Sequence, residues 1–358
     1  MGEGLTVQSC SRCRRDALVH QAYSGQHLCG SHLSSSIRKR TSKELRLQLD
    51  LPKDATREDG EPFRLLIAVS GGKDSAVLLS MMSEIIGRRR DVELVAGCID
   101  EGIDGYRAPS LECARELAQQ LGIRFETLSY EEMGYGRMDE VVQIMPAMGE
   151  MHTEARGLMP CSFCGVFRRQ GLNALAEKLG ADIMALGHNL DDMAQSILMN
   201  LQKGEIDRSV RLAPHTHSPI EGVIPRIVPL RWIPEQEIHA HAVSAGLPIH
   251  HGECPHAPGA MRQQSRADLR AVYEENRKKL PEIERVMLSA DSKVRDDMRA
   301  ELRSKRDQHV TNLKTNLTTM ASGGYLLRGD LEHIARSDPR MPWTVSYTHL
   351  TLPTILLV

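Results

Sequence analysis

Residues 66–75 read Leu-Ile-Ala-Val-Ser-Gly-Gly-Lys-Asp-Ser, and this stretch decides the fold. It opens on an apolar, β-branched run, which predicts a buried strand. The pair Gly71–Gly72 breaks the run, and apolar residues at helical spacing follow from Val77 to Ile86. The sequence therefore predicts a strand, a glycine turn and the start of a helix in direct succession.

The turn has the properties of a phosphate site. Its backbone N–H groups lie at the positive end of the helix dipole, and glycine permits positive φ and close backbone approach. Lys73 adds a positive charge, and the hydroxyl groups of Ser70 and Ser75 add donors. The alternative is an ordinary tight turn between a strand and a helix. The stretch is not a Walker A loop, and it resembles the SGGxDS loop of the ATP pyrophosphatases. That resemblance implies ATP binding by Ala68, Ser70, Gly71, Gly72, Lys73, Asp74 and Ser75.

Length and composition restrict the class of protein. The chain has 358 residues, 41% of them hydrophobic, which predicts one core domain of about 200 residues with smaller appendages. No run of about 18 apolar residues suggests a membrane span, and residues 1–4 do not begin a signal peptide, so we expect a cytoplasmic protein without a membrane partner. Eight cysteines in such a chain indicate metal ligands or buried thiols rather than disulfides. The net charge of −2 gives no general indication of nucleic acid binding.

Strand and helix patterns alternate through the middle of the chain. This alternation predicts an α/β fold with a doubly wound parallel sheet covered by helices on both faces. Strands are predicted at 64–70, 92–100, 123–128, 182–187 and 224–230, and helices at 75–87, 109–121, 163–179, 191–203 and 235–245. The predicted segments are an N-terminal zinc-binding module (1–34), a linker or helix (35–60), the catalytic α/β domain (61–255), a helical C-terminal extension (256–330) and a tail (341–358).

Cysteine and histidine pairs near the N-terminus have the spacing of a zinc site. Cys10 and Cys13 are separated by two residues, and Cys29 and His32 repeat that spacing after a loop. Two such pairs match a tetrahedral site with three cysteines and one histidine, which would stabilise a module too small for a core of its own. The weaker candidates for the fourth ligand are His20 and His27.

A second cysteine pair, Cys161 and Cys164, lies at the predicted start of a helix. A helix start is expected to lower the thiolate pKa, which suits a metal or redox centre. Two thiolates do not hold an iron–sulfur cluster, and the only cysteine downstream is Cys254. Three cysteines would leave one iron of a [4Fe-4S] cluster without a protein ligand. From its spacing alone, Cys254 could equally be a buried free thiol. Cys98 and Cys113 are expected in the core.

The segment Gly187–Asp192 follows an apolar strand and begins a helix. In a doubly wound sheet this position lies at the carboxyl edge, close to Ser70–Ser75 if the two strands are neighbours. Gly187 would let a nucleotide approach the backbone, and Asp192 could hold Mg2+ on the phosphates. The alternative is a solvated helix N-terminus, where aspartate is favoured in any case.

These motifs together resemble the cytosolic tRNA 2-thiolation proteins, in the archaeal and eukaryotic branch that thiolates the wobble uridine. The matching residues span 10 to about 275, and the segment Pro160–Arg169 is the most specific. The resemblance implies a HUP-type, Rossmann-like α/β fold that uses ATP, Mg2+, Zn2+ and a [4Fe-4S] cluster. It also implies tRNA as substrate and a ubiquitin-like sulfur carrier as donor, and we expect a homodimer. The cluster ligands would be Cys161, Cys164 and Cys254. The catalytic residues would be Lys73, Asp74 and those three cysteines, and Ile99, Gly187 and Asp192 would complete the ATP site. Arg168 could bind an ATP phosphate or the tRNA backbone, and the alternative is a solvated helix face.

Two other functions fit the same motifs. Another ATP pyrophosphatase, such as a lysidine-type tRNA ligase, would need no cluster. A zinc-bearing tRNA-binding or sulfur-relay scaffold would bind ATP without chemistry. Many members of the family carry further Cys-x-x-Cys pairs near the C-terminus, whereas no cysteine follows Cys254. Residues 341–358 carry no Lys, Arg, Asp or Glu, so we expect a non-native or truncated tail there.

Overall fold

A five-stranded parallel sheet forms the centre of the protein in the computed structural model, which describes residues 8–203, 223–258, 264–271, 274, 275 and 304. Its strands are β3 (Phe63–Ala68), β4 (Val92–Asp100), β5 (Arg124–Ser129), β6 (Ile183–Ala185) and β7 (Arg226–Ile227). The strand order is β5-β4-β3-β6-β7, so the chain moves outward from β3 and then returns to pair β6 on its other side. In α/β sheets, ligands bind at the carboxyl edge beside such a reversal.

Helices follow the strands and cover both faces of the sheet. They are α2 (Lys73–Ile86), α3 (Arg107–Gln120), α4 (Met138–Met151), α5 (Pro160–Lys178) and α7 (Glu235–Ser244), and a further helix, α6 (Leu190–Lys203), begins after β6. Along β3, Leu65 and Ile67 point into one apolar cluster and Leu66 into another, as the alternation of a strand requires. This arrangement confirms the predicted α/β fold with helices on two faces.

Most predicted elements are present, and the differences include the length of β7 and the presence of α4. The prediction for 92–100 coincides with β4, whereas the prediction for 224–230 is too long because β7 covers only Arg226–Ile227. Helix α4 was not predicted. Its buried residues are only Met138 and Val141, so its apolar periodicity is weak.

The N-terminal segment continues into a helix that packs on the α/β domain. Strands β1 (Val19–Gln21) and β2 (Gln26–Leu28) form an antiparallel hairpin, and α1 (Gly30–Gln48) follows at once. The predicted boundary at residue 34 falls inside α1. Apolar residues of α1 such as Ile37 are buried in the cluster that also holds side chains of α2. The cysteine-bearing segment and the α/β domain therefore share one core.

Glu237, in the first turn of α7, joins the hairpin to the α/β domain. Its carboxylate accepts hydrogen bonds from Gln21 Nε2 (3.0 Å) and from the Tyr23 hydroxyl (2.8 Å), and it forms an ion pair with Arg40. Glu237 is buried, and these donors compensate for the water that it loses. The hairpin and α1 therefore hold the first turn of α7 in place.

Most of the predicted C-terminal extension, and all of the predicted tail, lie outside the described residues. Within that extension, 264–271 is helical and belongs to a second compact unit. Over the part of the chain that the structure describes, no helix has both the length and the apolar character needed to cross a membrane.

Candidate active site and metal centres

The loop Ser70–Ser75 joins β3 to α2 at the carboxyl edge of the sheet. Gly71 has a φ of +82°, and a Cβ atom there would lie 1.9 Å from the carbonyl oxygen of Ser110, so only glycine fits. Ser75 Oγ accepts a hydrogen bond from the Ser70 N–H (3.0 Å) and donates to the Gly72 carbonyl (2.9 Å). The loop is therefore tied across its base at the N-terminus of α2, where the helix dipole favours an anion.

Lys73 lies in the first turn of α2 between two carboxylates. Its Nζ is 2.8 Å from Glu235 Oε1, on α7, and 3.1 Å from Asp74 Oδ2. Burial acts against the charged amine, but Asp74 and Glu235 more than compensate, and the pKa of Lys73 lies above its ordinary value. Lys73 is therefore cationic at neutral pH, and a polyphosphate could take the place of its carboxylate partners.

Asn189 connects the loop after β6 with the loop after β3. Its side-chain amide donates to Asp74 Oδ1 (2.8 Å). Its Oδ1 accepts from the Asp192 N–H (2.9 Å), and its own N–H donates to Asp192 Oδ2 (3.2 Å). This reciprocal pair caps α6. The pairing of β3 with β6 confirms that the two loops are neighbours, and one buried amide lies between Asp74 and Asp192.

Two residues predicted to contact ATP have other close neighbours. A Cβ atom on Gly187 would lie 3.3 Å from backbone atoms of Asp74 and Ser75, so this glycine lets the chain after β6 pass close to α2. The carbonyl oxygen of Ile99 accepts a hydrogen bond from Arg107. Contacts of Gly187 and Ile99 with ATP stay predictions, as does that of Ala68 at the end of β3.

A buried carboxylate, Glu101, connects the phosphate loop with the cysteine pair. Its Oε1 is 2.9 Å from Arg168 Nη2, and its Oε2 is 2.6 Å from Arg107 Nε. Arg107 also donates to the Ser70 carbonyl (3.0 Å), whereas Arg168 donates to Cys164 Sγ (3.4 Å). A series of charge-assisted contacts therefore runs from Ser70 in the loop to Cys164 on α5.

The three cysteines predicted to bind a cluster lie in one region, around the start of α5. Cys161 lies in the first turn of that helix, and its Sγ is 4.0 Å from the carbonyl oxygen of His256, two residues beyond Cys254. Cys164 and Cys254 pack against the same apolar cluster. Three soft thiol ligands at a partly desolvated position fit an iron–sulfur cluster in their donor chemistry.

The expected lowering of the thiol pKa at this helix start is wrong. Desolvation raises the pKa of Cys161, and the electrostatic interaction with the neighbouring Cys164 raises it further. Desolvation likewise raises the pKa of Cys254. Removal of water is the largest cause of the shift at this helix start. A metal must therefore displace protons from these thiols when it binds.

The N-terminal cluster has the geometry of a zinc site. Cys13 Sγ and Cys29 Sγ are 3.7 Å apart, and His32 Nδ1 lies 3.3 Å from both Cys10 Sγ and Cys29 Sγ. All four ligand atoms lie within 4.8 Å of one another. Zn–S bonds of about 2.3 Å in a tetrahedron give S–S edges of about 3.8 Å. Hydrogen bonds from Ser31 and the His32 backbone lower the pKa of Cys29 to about 5, which favours the thiolate that a metal requires.

The remaining cysteines and histidines of the sequence analysis are not members of this ligand group. His20 and His27, the weaker candidates for the fourth ligand, stack on each other with their ring centroids 4.4 Å apart. Cys98 is fully buried, as expected, and its Sγ accepts a hydrogen bond from Arg107 (2.8 Å). Cys113 is only half-buried, so its expected place in the core is wrong.

Four residues of this region were not predicted as part of the site: Glu101, Arg107, Asn189 and Glu235. Glu101 and Arg107 follow β4, so their position at the carboxyl edge was a usable signal. Asn189 stands three residues before Asp192 at a helix start, which is the signature of a cap. Nothing in the sequence around Glu235 indicates a site residue, because Glu235 is distant from Lys73 in the chain and only folding brings the two together.

Two family profiles match the chain. The PP-loop domain family matches residues 46–254, more than half of the chain. The N-terminal LIM domain of the 2-thiouridine synthetase TtuA matches residues 9–34. The first match includes the Ser70–Ser75 loop and the three cysteines near α5, and the second includes the zinc-like cluster.

Curated relatives match over most of their length. The tRNA 2-thiolation protein NcsA of Haloferax volcanii is 41% identical over 262 residues, which cover 71% of this chain and 77% of that protein. A probable sulfurtransferase of Methanocaldococcus jannaschii is 32% identical, with 75% and 74% covered. The cytoplasmic tRNA 2-thiolation protein 1 of Drosophila ananassae is 35% identical, with 74% and 73% covered.

A solved structure supports the same relationship. The U34-tRNA thiolase NcsA from Methanococcus maripaludis, described with its [4Fe-4S] cluster, superposes with a TM-score of 0.61 at 26% identity. The superposition covers 76% of this chain and 84% of that one. Because a PP-loop profile spans most of the α/β domain and relatives above 30% identity are matched over about three quarters of their length, the chain belongs to the PP-loop family of tRNA 2-thiolation proteins.

Proposed function

We propose that this protein is an ATP-dependent tRNA sulfurtransferase that converts uridine to 2-thiouridine, at the wobble position. The observation that carries the proposal is the Glu101 connection between the phosphate loop and Cys164, one of the three predicted cluster ligands, since it joins an ATP-activating element to a sulfur-handling element. The similarity to proteins named for tRNA 2-thiolation supports this substrate.

The first step activates the uridine. The C2 carbonyl oxygen attacks the α-phosphate of ATP, a C2–O–AMP bond forms, and pyrophosphate leaves. The amides of Ser70–Ser75 bind the departing β- and γ-phosphates, and Lys73 neutralises the charge that develops on them. For this, Lys73 exchanges Glu235 for a phosphate oxygen. Asp74, fixed by Asn189, orients Lys73 from the adjacent position.

The second step exchanges oxygen for sulfur. A hydrosulfide equivalent adds to C2, AMP leaves with the former carbonyl oxygen, and loss of a proton restores the base as a 2-thiouridine. The proposed cluster, when bound by Cys161, Cys164 and Cys254, would supply an iron without a protein ligand at which sulfide can bind. Arg168 donates to Cys164 and holds positive charge beside the thiols, where it would also attract an anionic phosphate.

Two further metals belong to the proposal. Zinc would be held by Cys10, Cys13, Cys29 and His32, whose spacing fits a tetrahedron, and it would stabilise the hairpin and the start of α1. Magnesium would be held beside the phosphates by Asp192. Carboxylate oxygens are the ligands that Mg2+ prefers, and the cap formed with Asn189 fixes the orientation of that carboxylate.

The proposal includes partners as well as metals. The sulfur donor would be a ubiquitin-like carrier protein, the working assembly a homodimer, and the compartment the cytoplasm. These assignments rest on the family resemblance.

Anaerobic turnover tests the proposal. The protein is incubated with unmodified tRNA, ATP and sulfide, and the tRNA nucleosides and released pyrophosphate are measured. We expect one pyrophosphate and one AMP for each 2-thiouridine, and a fall of about 10²-fold in the rate of their formation in a Lys73→Ala variant. Pyrophosphate release with incorporation of an amino acid would indicate a ligase, and no release in the presence of tRNA would indicate a scaffold.

A further inference from the structure

The outward face of α1 carries only cationic charge. Arg38, Lys39, Lys43 and Arg46 are exposed along this helix, and the single acidic residue of α1, Glu44, is buried and pairs with Arg231. Among the residues that the structure describes, the side chains of these four cations make no ion pair or hydrogen bond. Their charge is therefore presented to solvent without compensation.

The spacing of these cations makes a continuous stripe. Lys39, Lys43 and Arg46 stand at positions i, i+4 and i+7, so they share one face of the helix and extend about 10 Å along its axis. Like charges one turn apart repel each other, and this repulsion disfavours the helix. Arg40 on the same helix differs, because it is drawn into the ion pair with Glu237.

We propose that this stripe, Arg38–Lys39–Lys43–Arg46, binds the phosphate backbone of the RNA substrate. The inference rests on the proposed function, which makes tRNA the substrate, and it adds the surface that holds it. A row of unpaired cations on a rigid helix is complementary to a polyanion, and backbone contacts of this kind position a nucleic acid without reading its sequence. The overall charge of −2 makes the positive stripe a local feature rather than a property of the whole surface.

The N-terminus of α1 gives the stripe a fixed place relative to the zinc-like cluster. Cys29 is the N-cap residue of α1, and apolar residues on the opposite face are buried in the core. The cationic groups therefore project from an anchored helix, so binding a polyanion there requires little ordering of the backbone.

Charge reversal tests the inference with a matched control. The test variant is Lys43→Glu with Arg46→Glu, and the control is Arg88→Glu with Arg90→Glu, two exposed arginines beyond the C-terminal end of α2. Both carry the same change of net charge. Binding of unmodified tRNA is measured at several salt concentrations, with ATP affinity, zinc content and thermal unfolding as checks on folding.

We expect the test variant to bind tRNA about tenfold more weakly or worse, and its slope of log affinity against log salt to fall by about 2, one for each lost phosphate contact. The control should keep the affinity and slope of the unaltered protein. If the test variant bound tRNA with the same affinity and salt slope as the unaltered protein, the inference would be overturned. Loss of binding to polyglutamate in that variant would then assign the stripe to an acidic protein. Failure of the unaltered protein to bind tRNA would instead contradict the proposed function.

Discussion

The carboxylate of Glu101 lies 2.9 Å from the guanidinium of Arg168, and both its oxygens are almost fully buried. A buried carboxylate of this kind is stable only because two guanidinium groups compensate for its lost hydration. Removal of its charge would leave the buried Arg107 without an ion-pair partner among the described residues.

Glu101→Gln should therefore lower both stability and thiolation. We expect the free energy of unfolding to fall by about 3 kcal/mol, the cost of breaking a buried pair from one side. Denaturant unfolding and 2-thiouridine formation are the measurements. The control is Glu112→Gln, whose ion pair with Arg115 is exposed, and it should change neither by a measurable amount. Equal effects of the two substitutions would contradict the assigned role of Glu101.

Lys73→Ala should reduce turnover more than it reduces stability. The amine is proposed to stabilise charge on the departing pyrophosphate, and loss of one such donor costs about 10²-fold in rate. Pyrophosphate release under saturating ATP measures the effect. Lys53→Ala, at an exposed position before β3, is the control. Unchanged turnover in the Lys73 variant would remove the basis for the phosphate-loop assignment.

Gly71→Ala and Gly72→Ala form a matched pair within one loop. Alanine at 71 would need a φ of +82° and would clash with the Ser110 carbonyl, whereas the nearest atom to a Cβ at 72 is Ser70 Oγ at 3.5 Å. We expect Gly71→Ala to cost about 2 kcal/mol or more and to abolish ATP binding. The free energy of unfolding of Gly72→Ala should lie within a few tenths of a kcal/mol of that of the original protein. A larger loss of stability in Gly72→Ala than in Gly71→Ala would show that the loop geometry is wrong.

Cys254→Ala should yield folded protein that binds ATP but loses cluster absorbance and thiolation together. The comparison is Cys113→Ala, which removes a half-buried thiol on α3 and should keep both properties. Cys98→Ala is a poorer comparison, because its Sγ accepts a hydrogen bond from Arg107. A Cys254 variant with a full complement of iron would exclude this residue as a ligand.

The burial of His241 should make the protein less stable in mild acid. The residue is buried on α7, neither ring nitrogen has a hydrogen-bond partner within the described residues, and desolvation lowers its pKa. The unfolded chain therefore binds a proton below pH about 6.5 while the folded chain stays neutral, so stability is retained above that pH and falls as the pH decreases. The free energy of unfolding is measured between pH 7 and 5 for the unaltered protein and for His241→Leu. It should fall more steeply with decreasing pH in the unaltered protein. Parallel declines would contradict this assignment.

Periodicity predicted the sheet and most of its helices, because continuous apolar runs marked the strands and apolar residues at helical spacing marked the helices. The prediction for β4 coincided with the strand since its nine residues are almost all buried. Helix α4 was missed because few of its residues are buried, and α1 was read as partly linker because its outward face is charged. Local composition describes a helix poorly when only a narrow stripe contacts the core.

The candidate site divides in the same way. Ser70–Ser75 and Gly187–Asp192 are contiguous in sequence, so their residue types and spacing carry the signal. The contacts of Lys73 with Glu235, and of Glu101 with Arg168, join distant segments, and neither could be read without the strand order. The thiol pKa of Cys161 was predicted in the wrong direction because the helix dipole is a local property whereas desolvation depends on the surroundings.

The hydrogen bond between Gln21 and Glu237 spans 216 positions of the chain. During synthesis the hairpin leaves the ribosome long before the residue that anchors it, so the earliest segment must wait for nearly the last segment of the domain. The metal proposed for the four N-terminal ligands would need no such delay, since those residues lie within one short stretch. A nascent chain would then hold that metal while its amino end is still undocked, and closure of the domain would be a late event in translation.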